Sequence, residues 1–272
     1  MKINMKVADL IDRCRNGSDE EKCYAVVALE EMGAKESVPI LLELLDFPDE
    51  GVRANVASAL GKLGNQDVGE KLLILLEDSD PLVRIEAVES LGLLQYLDAI
   101  PAIVSKLKTD EDSLVRLCAA EALGNIADVK TLPSLLEALN DGDEGVRAYS
   151  ADAIGNLGVV EALPILRQKL DAESSRLTKT FILASLYKLG DEASLLSLVK
   201  LLEIADYNLA VTIFNLTREL ANQQNANYLI ETIQEITKSR PSLDPNKPFY
   251  PNVTGIIKYL ESFRLTEKES VP

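Results

Sequence analysis

An all-α solenoid of about seven two-helix repeats is the architecture this sequence predicts, and three observations predict it. The dipeptide Val-Arg returns at Val52-Arg53, Val83-Arg84, Val115-Arg116 and Val146-Arg147, in steps of 31, 32 and 31 residues. At a fixed distance behind each comes an aliphatic residue and then a glycine: Leu60-Gly61, Leu91-Gly92, Leu123-Gly124 and Ile154-Gly155. A proline column runs between them at Pro39, Pro101, Pro133 and Pro164, with Glu70 filling the gap. Extended in both directions, the frame puts Lys22, Lys179 and Ala210 in the arginine column and Gly33 and Gly190 at turns, so that seven units cover about residues 18–236.

The elements follow in chain order. Residues 1–17 hold an N-terminal capping helix, with Val7, Leu10 and Ile11 on one side of the amphipathic stretch 5–15. The third unit shows how each repeat is built. Asp80 is an N-cap, and Pro81 stands at the first helical position, where its missing N–H costs nothing. Val83, Ala87, Ser90, Leu91 and Leu94 recur at the spacing of one helical face, and the chain breaks around Gln95–Asp98. A second helix then carries Ile100, Pro101, Ile103, Val104 and Leu107.

Stacked in register, the first helices show small columns, with Val56, Ala87, Ala119 and Ser150 in one and Ala59, Ser90, Ala122 and Ala153 in another. Such columns let neighbouring helices approach closely. The second helices show large aliphatics at Leu41, Leu72, Ile103, Leu135, Leu166 and Leu198, and again at Leu45, Leu76, Leu107, Leu139, Leu170 and Leu202. No unit can bury such a face alone, and stacking buries it continuously. Residues 237–272 leave the repeat. Pro241, Pro245, Pro248 and Pro251 predict an extended loop, about Val253–Phe263 a capping helix, and Thr266–Pro272 a disordered tail. Residues 1–272 are expected to form a single solenoid domain.

Composition narrows the chemistry. The chain of 272 residues has 28 Lys+Arg against 44 Asp+Glu, a formal charge of -16, no histidine and no tryptophan. Without histidine there is no Ser-His-Asp or Cys-His triad and no HExxH zinc site. The acidity argues against nucleic acid, which needs a basic stripe. Cys14, Cys23 and Cys118 form no CxxC pair and are odd in number, which reads as free thiols in a reducing compartment. Asp9 and Asp12 interrupt the region a signal peptide would keep apolar, and no apolar run is long enough to span a membrane. A cytoplasmic location and no membrane partner are expected.

The pattern Asp-x-x-Val-Arg-x-x-Ala-x-x-Ala-Leu-Gly, followed by Ala-x-Pro-x-Leu-x-x-x-Leu, resembles HEAT repeats of the short type first noted in phycobilisome lyases. The match is most specific from Arg53 to Leu170 and weakest in the units begun by Lys22, Lys179 and Ala210. The resemblance implies a right-handed superhelix with first helices on the convex side and second helices lining the concave side. It further implies a heterodimer that holds a tetrapyrrole and delivers it to a phycobiliprotein cysteine. The deoxyhypusine hydroxylases, another HEAT family, hold di-iron on His-Glu motifs, which this histidine-free chain excludes.

The acids that precede each arginine (Asp49/Arg53, Asp80/Arg84, Asp112/Arg116, Asp143/Arg147) could form a row of anion sites. The preferred reading is structural, a ladder of charge-assisted hydrogen bonds that stitches the units together. Paired carboxylates such as Glu30-Glu31 lie where acids favour helix ends, so no catalytic residue, metal site or cofactor is assigned. Cys118 shares its column with Asn55, Glu86 and Tyr149 and is expected to be accessible.

The side of the second helices opposite their core columns is the expected binding face. It carries Glu36, Ile40, Glu43 and Phe47, then Asp67, Lys71, Ile74 and Asp78, then Ser105, Ser134, Glu137, Ile165 and Gln168. Charge is concentrated in residues 1–150, with 15 basic residues against 29 acidic, while the remainder has 13 against 15. The leading expectation is a non-enzymatic scaffold, adaptor or immunity-type inhibitor that takes a partner protein with a basic surface into an acidic concave groove. The alternative is a bilin lyase or chaperone-like subunit acting on phycobiliproteins. Few aromatic rings, 5% of residues, set the first above the second.

Overall fold

The computed structural model describes residues 6–239 and 253–265. Sixteen α-helices and no strand occur among the described residues. Helix α1 (Val7–Asn16) leads into pairs made of α2 (Asp19–Glu31) with α3 (Val38–Glu43), α4 (Glu50–Leu63) with α5 (Gly69–Leu75), and α6 (Pro81–Leu93) with α7 (Ile100–Thr109). The series continues with α8 (Ser113–Ile126) and α9 (Leu132–Ala138), α10 (Glu144–Leu157) and α11 (Leu163–Ala172), α12 (Arg176–Lys188) and α13 (Ala193–Lys200), then α14 (Tyr207–Leu220) and α15 (Ala226–Ser239). Helix α16 (Val253–Leu265) closes it. This is an all-α solenoid. The chain divides into two compact units, residues 1–153 and 154–272.

In the first unit the first helices stack on one another, α2 on α4, α4 on α6 and α6 on α8, and second helices rest on the first helix of the next pair, α3 on α4, α5 on α6 and α7 on α8. The column composition explains the closeness. A Cβ added to Gly61 would come within 2.8 Å of Ser90 Cα, and one added to Gly92 within 2.9 Å of Ala122 Cα. These glycines lie inside α4 and α6 and serve helix-to-helix contact rather than a turn. Ser90 Oγ crosses the same interface to donate to Ala57 O at 2.9 Å. In the third pair the break is made by Gln95 in the left-handed region, φ 49°, followed by a 3₁₀ turn at Leu97–Ala99.

The arginine column forms a ladder, but its acids are not those expected. Asp49, Asp80, Asp112 and Asp143 accept backbone N–H groups of their own helices, from Val52, from Leu82 and Val83, from Leu114 and Val115, and from Gly145 and Val146. They are N-caps. The guanidiniums reach instead to an aspartate at the end of the next second helix: Arg53 to Asp78, Arg84 to Asp110 and Arg116 to Asp141. Each of these pairs is bidentate. Arg84 Nε lies 2.9 Å from Asp110 Oδ2, and its Nη2 lies 2.8 Å from Oδ1. The remaining nitrogen, Nη1, donates to Asp78 O and Ser79 O; Arg147 Nη1 likewise donates to Asp141 O and Gly142 O.

Every ladder aspartate also accepts the backbone N–H of the next N-cap residue, at Asp80, Asp112 and Asp143. The local cap therefore takes the nearby acid, and the ion pair is left to the acid that follows the second helix of the same pair. Bonding to Arg53 holds the Asp78 carboxyl below its usual range. At Asp110 and Asp141 burial pushes the other way, and the guanidinium, the backbone donor and the adjacent positive charges bring the net shift downward.

The first pair keeps the geometry with other residues. Lys22 replaces arginine, donates to the Arg15 and Gly17 carbonyls, and lies 5.3 Å from the centre of the Phe47 ring. Phe47 stands in the column that holds Asp78 one unit later, so a cation–π contact substitutes for the ion pair.

In the second unit, Leu195, Leu198, Leu202, Ile213, Phe214, Leu229 and Ile233 form the core, joined by Val253, Ile256 and Leu260 of α16. The predicted capping helix thus covers the face of α14 and α15. At the other end Leu10 and Cys14 of α1 are buried, with Val7 and Ile11 half-buried. The proline segment 241–251 and the tail 266–272 lie outside the described residues.

Candidate functional site

The binding face expected on the second helices survives only in part. Glu36, Glu43, Asp67, Lys71, Ser105 and Glu137 are exposed, Ser134 is half-buried, and Ile74 is 68% exposed. Ile40 is buried at 3% exposure: α1 packs on α3 and covers the position that stands open one pair later. Phe47 and Asp78 belong to the ladder, where one lies under Lys22 and the other is engaged by Arg53. Ile165 and Gln168 are exposed on α11, in the second compact unit.

Charges on this face are partly compensated from within. Lys106 Nζ lies 3.0 Å from Glu77 Oε2 and Lys108 Nζ 2.5 Å from Glu137 Oε2, each bridging consecutive second helices. Glu36, Glu43, Glu70 and Lys71 form no ion pair among the described residues. What remains on α3 and α5 is an acidic strip with a single aliphatic side chain, Ile74, standing out of it. Such a strip can hold a cationic surface and exclude water around one apolar contact.

The first helices carry a surface that the sequence reading did not single out. Leu82 and Leu114 are more than half exposed, and Glu89 and Glu121 are exposed beside the half-buried Glu86. Cys118, expected to be accessible, is buried, and its Sγ donates to Glu89 Oε1 at 3.3 Å. Burial, and then the bond to Glu89, pushes its thiol pKa far up, so it is not a reactive thiolate. Burial first, and neighbouring acids after it, also raise the carboxyls of Glu86 and Glu121. Comparing residues column by column would have found this surface, because Leu82 and Leu114 stand where other units have Gly51 and Gly145.

Cavities within the units are open to solvent. One of about 280 Å³ is lined by Glu77, Asp78, Arg84, Lys106, Thr109, Asp110 and Glu111, with both cations already committed to Asp110 and Glu77. Another, of about 710 Å³ in the second unit, is lined by Asn222, Gln223, Gln224, Ser262 and Phe263. Among the described residues no helix is long and apolar enough to cross a membrane.

The model of the HEAT repeats family matches residues 7–77, 69–148 and 132–216. Among curated relatives, phycocyanobilin lyase subunit alpha of Synechococcus elongatus is 38% identical over 84 residues, a stretch that spans 28% of this chain and 31% of that protein. Among solved structures, the complex of CpcE and CpcF of phycocyanin lyase from Nostoc sp. PCC7120 is similar with a TM-score of 0.60 at 19% identity, covering 82% of this chain and 94% of that one. The Escherichia coli protein YibA is similar with a TM-score of 0.55 at 19% identity, covering 94% and 93%. At such identities the likeness speaks for the fold. The expectation of a non-enzymatic chain is corrected by the first of these relatives, which is named as a lyase subunit. A lack of histidine removes particular catalytic groups and leaves membership of an enzyme assembly open.

Proposed function

The chain belongs to the HEAT-repeat family, and from that premise we propose that it is a lyase-type subunit that works on a protein partner, holding a basic surface of that partner on the strip of Glu36, Glu43, Asp67, Lys71 and Ile74. The observation that carries the reading is the 38% identity to a phycocyanobilin lyase subunit, which covers 31% of that relative. The acidic strip supports a protein-holding role, since uncompensated carboxylates around one apolar side chain steer and seat a cationic surface.

A bilin carries apolar rings and propionate carboxylates. Neither of the two cavities described above offers it an unengaged cation: one is lined by Phe263 with amides and a serine, and the other by cations already bound to acids. No chemical step is therefore assigned to these residues, and the chain's own part is to position protein. The proposed role places it in the cytoplasm, with Cys14, Cys23 and Cys118 as free thiols.

Gel filtration with apo-phycocyanin subunits, with and without phycocyanobilin, tests the reading. Co-elution, with a red-shifted bilin in the shared peak, is expected for the wild type and is lost in a Glu43→Lys, Ile74→Asp variant. No co-elution and unchanged bilin absorbance would contradict it.

A further inference from the structure

Two adjoining columns of the first helices depart from what stacking requires. One holds Gly51, Leu82, Leu114 and Gly145, and its neighbour holds Ala54, Ile85, Leu117 and Ala148. Helices α4 and α10 form with glycine and alanine there, so helix formation needs no bulk at these positions. In α6 and α8 the same positions carry aliphatics, with Leu82 51% and Leu114 57% exposed and Ile85 and Leu117 half-buried beside them. Exposed aliphatics aligned on two adjacent helices form an apolar ridge rather than scattered surface residues.

Directly beside the ridge stand Glu86, Glu89 and Glu121, where α4 has Asn55 and Ser58 at the equivalents of the first two. None of the three glutamates forms an ion pair among the described residues. Glu86 and Glu89 lie on one face of α6, and Glu121 lies on α8, which packs against it, so the acids repel one another; the nearby cation, Lys62 of α4, is already paired with Glu30.

We propose that this face of α6 and α8 docks a basic amphipathic segment of another protein, whose aliphatic side chains cover Leu82 and Leu114 while its lysines or arginines meet Glu86, Glu89 and Glu121. Charge selects the occupant. A second copy of this chain would bring the same acids against these, and an anionic membrane would be repelled. The site lies on the first helices, away from the second-helix strip, and stands whether or not the lyase reading does.

The probe is a fluorescein-labelled helical peptide of leucine and lysine, with two controls: glutamate in place of lysine, and alanine in place of leucine. Fluorescence anisotropy reads binding to the full chain. Wild type is expected to bind the leucine–lysine peptide and neither control. Affinity should fall at least about tenfold in Leu82→Asp/Leu114→Asp and in Glu89→Lys/Glu121→Lys, and stay unchanged in Ile74→Asp/Glu43→Lys. These side chains are at or near the surface, so circular dichroism should show the helical fold retained. No binding by the wild type, wild-type affinity in either first-helix variant, or binding of the alanine control would overturn the proposal. So would a wild-type dimer that Leu82→Asp/Leu114→Asp dissociates, which would make a second copy the occupant.

Discussion

Two groups of acids in the first compact unit are treated in opposite ways. Where consecutive pairs meet, Asp78, Asp110 and Asp141 each receive a bidentate guanidinium, a backbone donor and the field of a neighbouring arginine. On α6 and α8, Glu86, Glu89 and Glu121 stand together with no ion pair of their own among the described residues, and Lys62 nearby is taken by Glu30. The first group repeats with the period of the chain, and the second begins at α6, where Glu89 stands in the column of Ser58, and runs on through Glu121 to Asp152 of α10. Chemistry that holds a solenoid together has to recur at every interface and be satisfied there. Chemistry that departs from the repeat and stays without a salt-bridge partner is free to serve another protein.

Breaking the ladder should have the largest effect. Arg84 and Asp110 have side chains only 7% and 4% exposed, so Arg84→Met leaves a buried carboxylate with only Lys106, 4.0 Å away, for counter-charge. We expect a loss of about 3–5 kcal/mol in urea unfolding. Next comes the close approach of the first helices. Gly61→Ala pushes a methyl into Ser90 and should cost about 1–3 kcal/mol, while Gly142→Ala, with nothing within 4 Å, should be near neutral in the same assay. Removing a cap is smaller again. Asp80→Ala frees the Leu82 and Val83 N–H groups and should cost about 1 kcal/mol.

The smallest effect is a slope in pH. The ladder aspartates have folded pKa values below their ordinary ones, so their contribution is complete above the ordinary carboxylate range and is lost as pH falls through the depressed values. Glu86 and Glu121 run the other way. Their folded values are raised, so their contribution is present at low pH and is withdrawn as pH rises through those values. Urea midpoints measured across pH should therefore fall steeply at low pH, where the ladder is lost, and show a smaller decline above the ordinary glutamate range. A midpoint with no decline on that side would deny the acid band its share.

How much of this the sequence disclosed depends on whether the physics was periodic. The helix pairs, caps and arginine column all recur, and spacing alone locates them. The ladder's partners were misassigned because Asp80 lies near Arg84 in sequence, whereas Asp110 reaches it only through the stack. Ile40 looked exposed because its column is open one pair later, and the cover supplied by α1 is a tertiary fact. Phe47 looked like a contact residue until Lys22 was found above it. The acid band was legible in principle, as a departure between columns, but only once the structure showed which columns face outward.

The central claim, that the ladder serves the fold and the acid band serves a partner, meets its most direct test in the urea unfolding free energy of Glu89→Gln/Glu121→Gln at pH 7. The account predicts stability equal to or above the wild type, because repulsion is relieved and no ion pair is broken. A loss comparable to that of Arg84→Met would contradict it and return these glutamates to the fold.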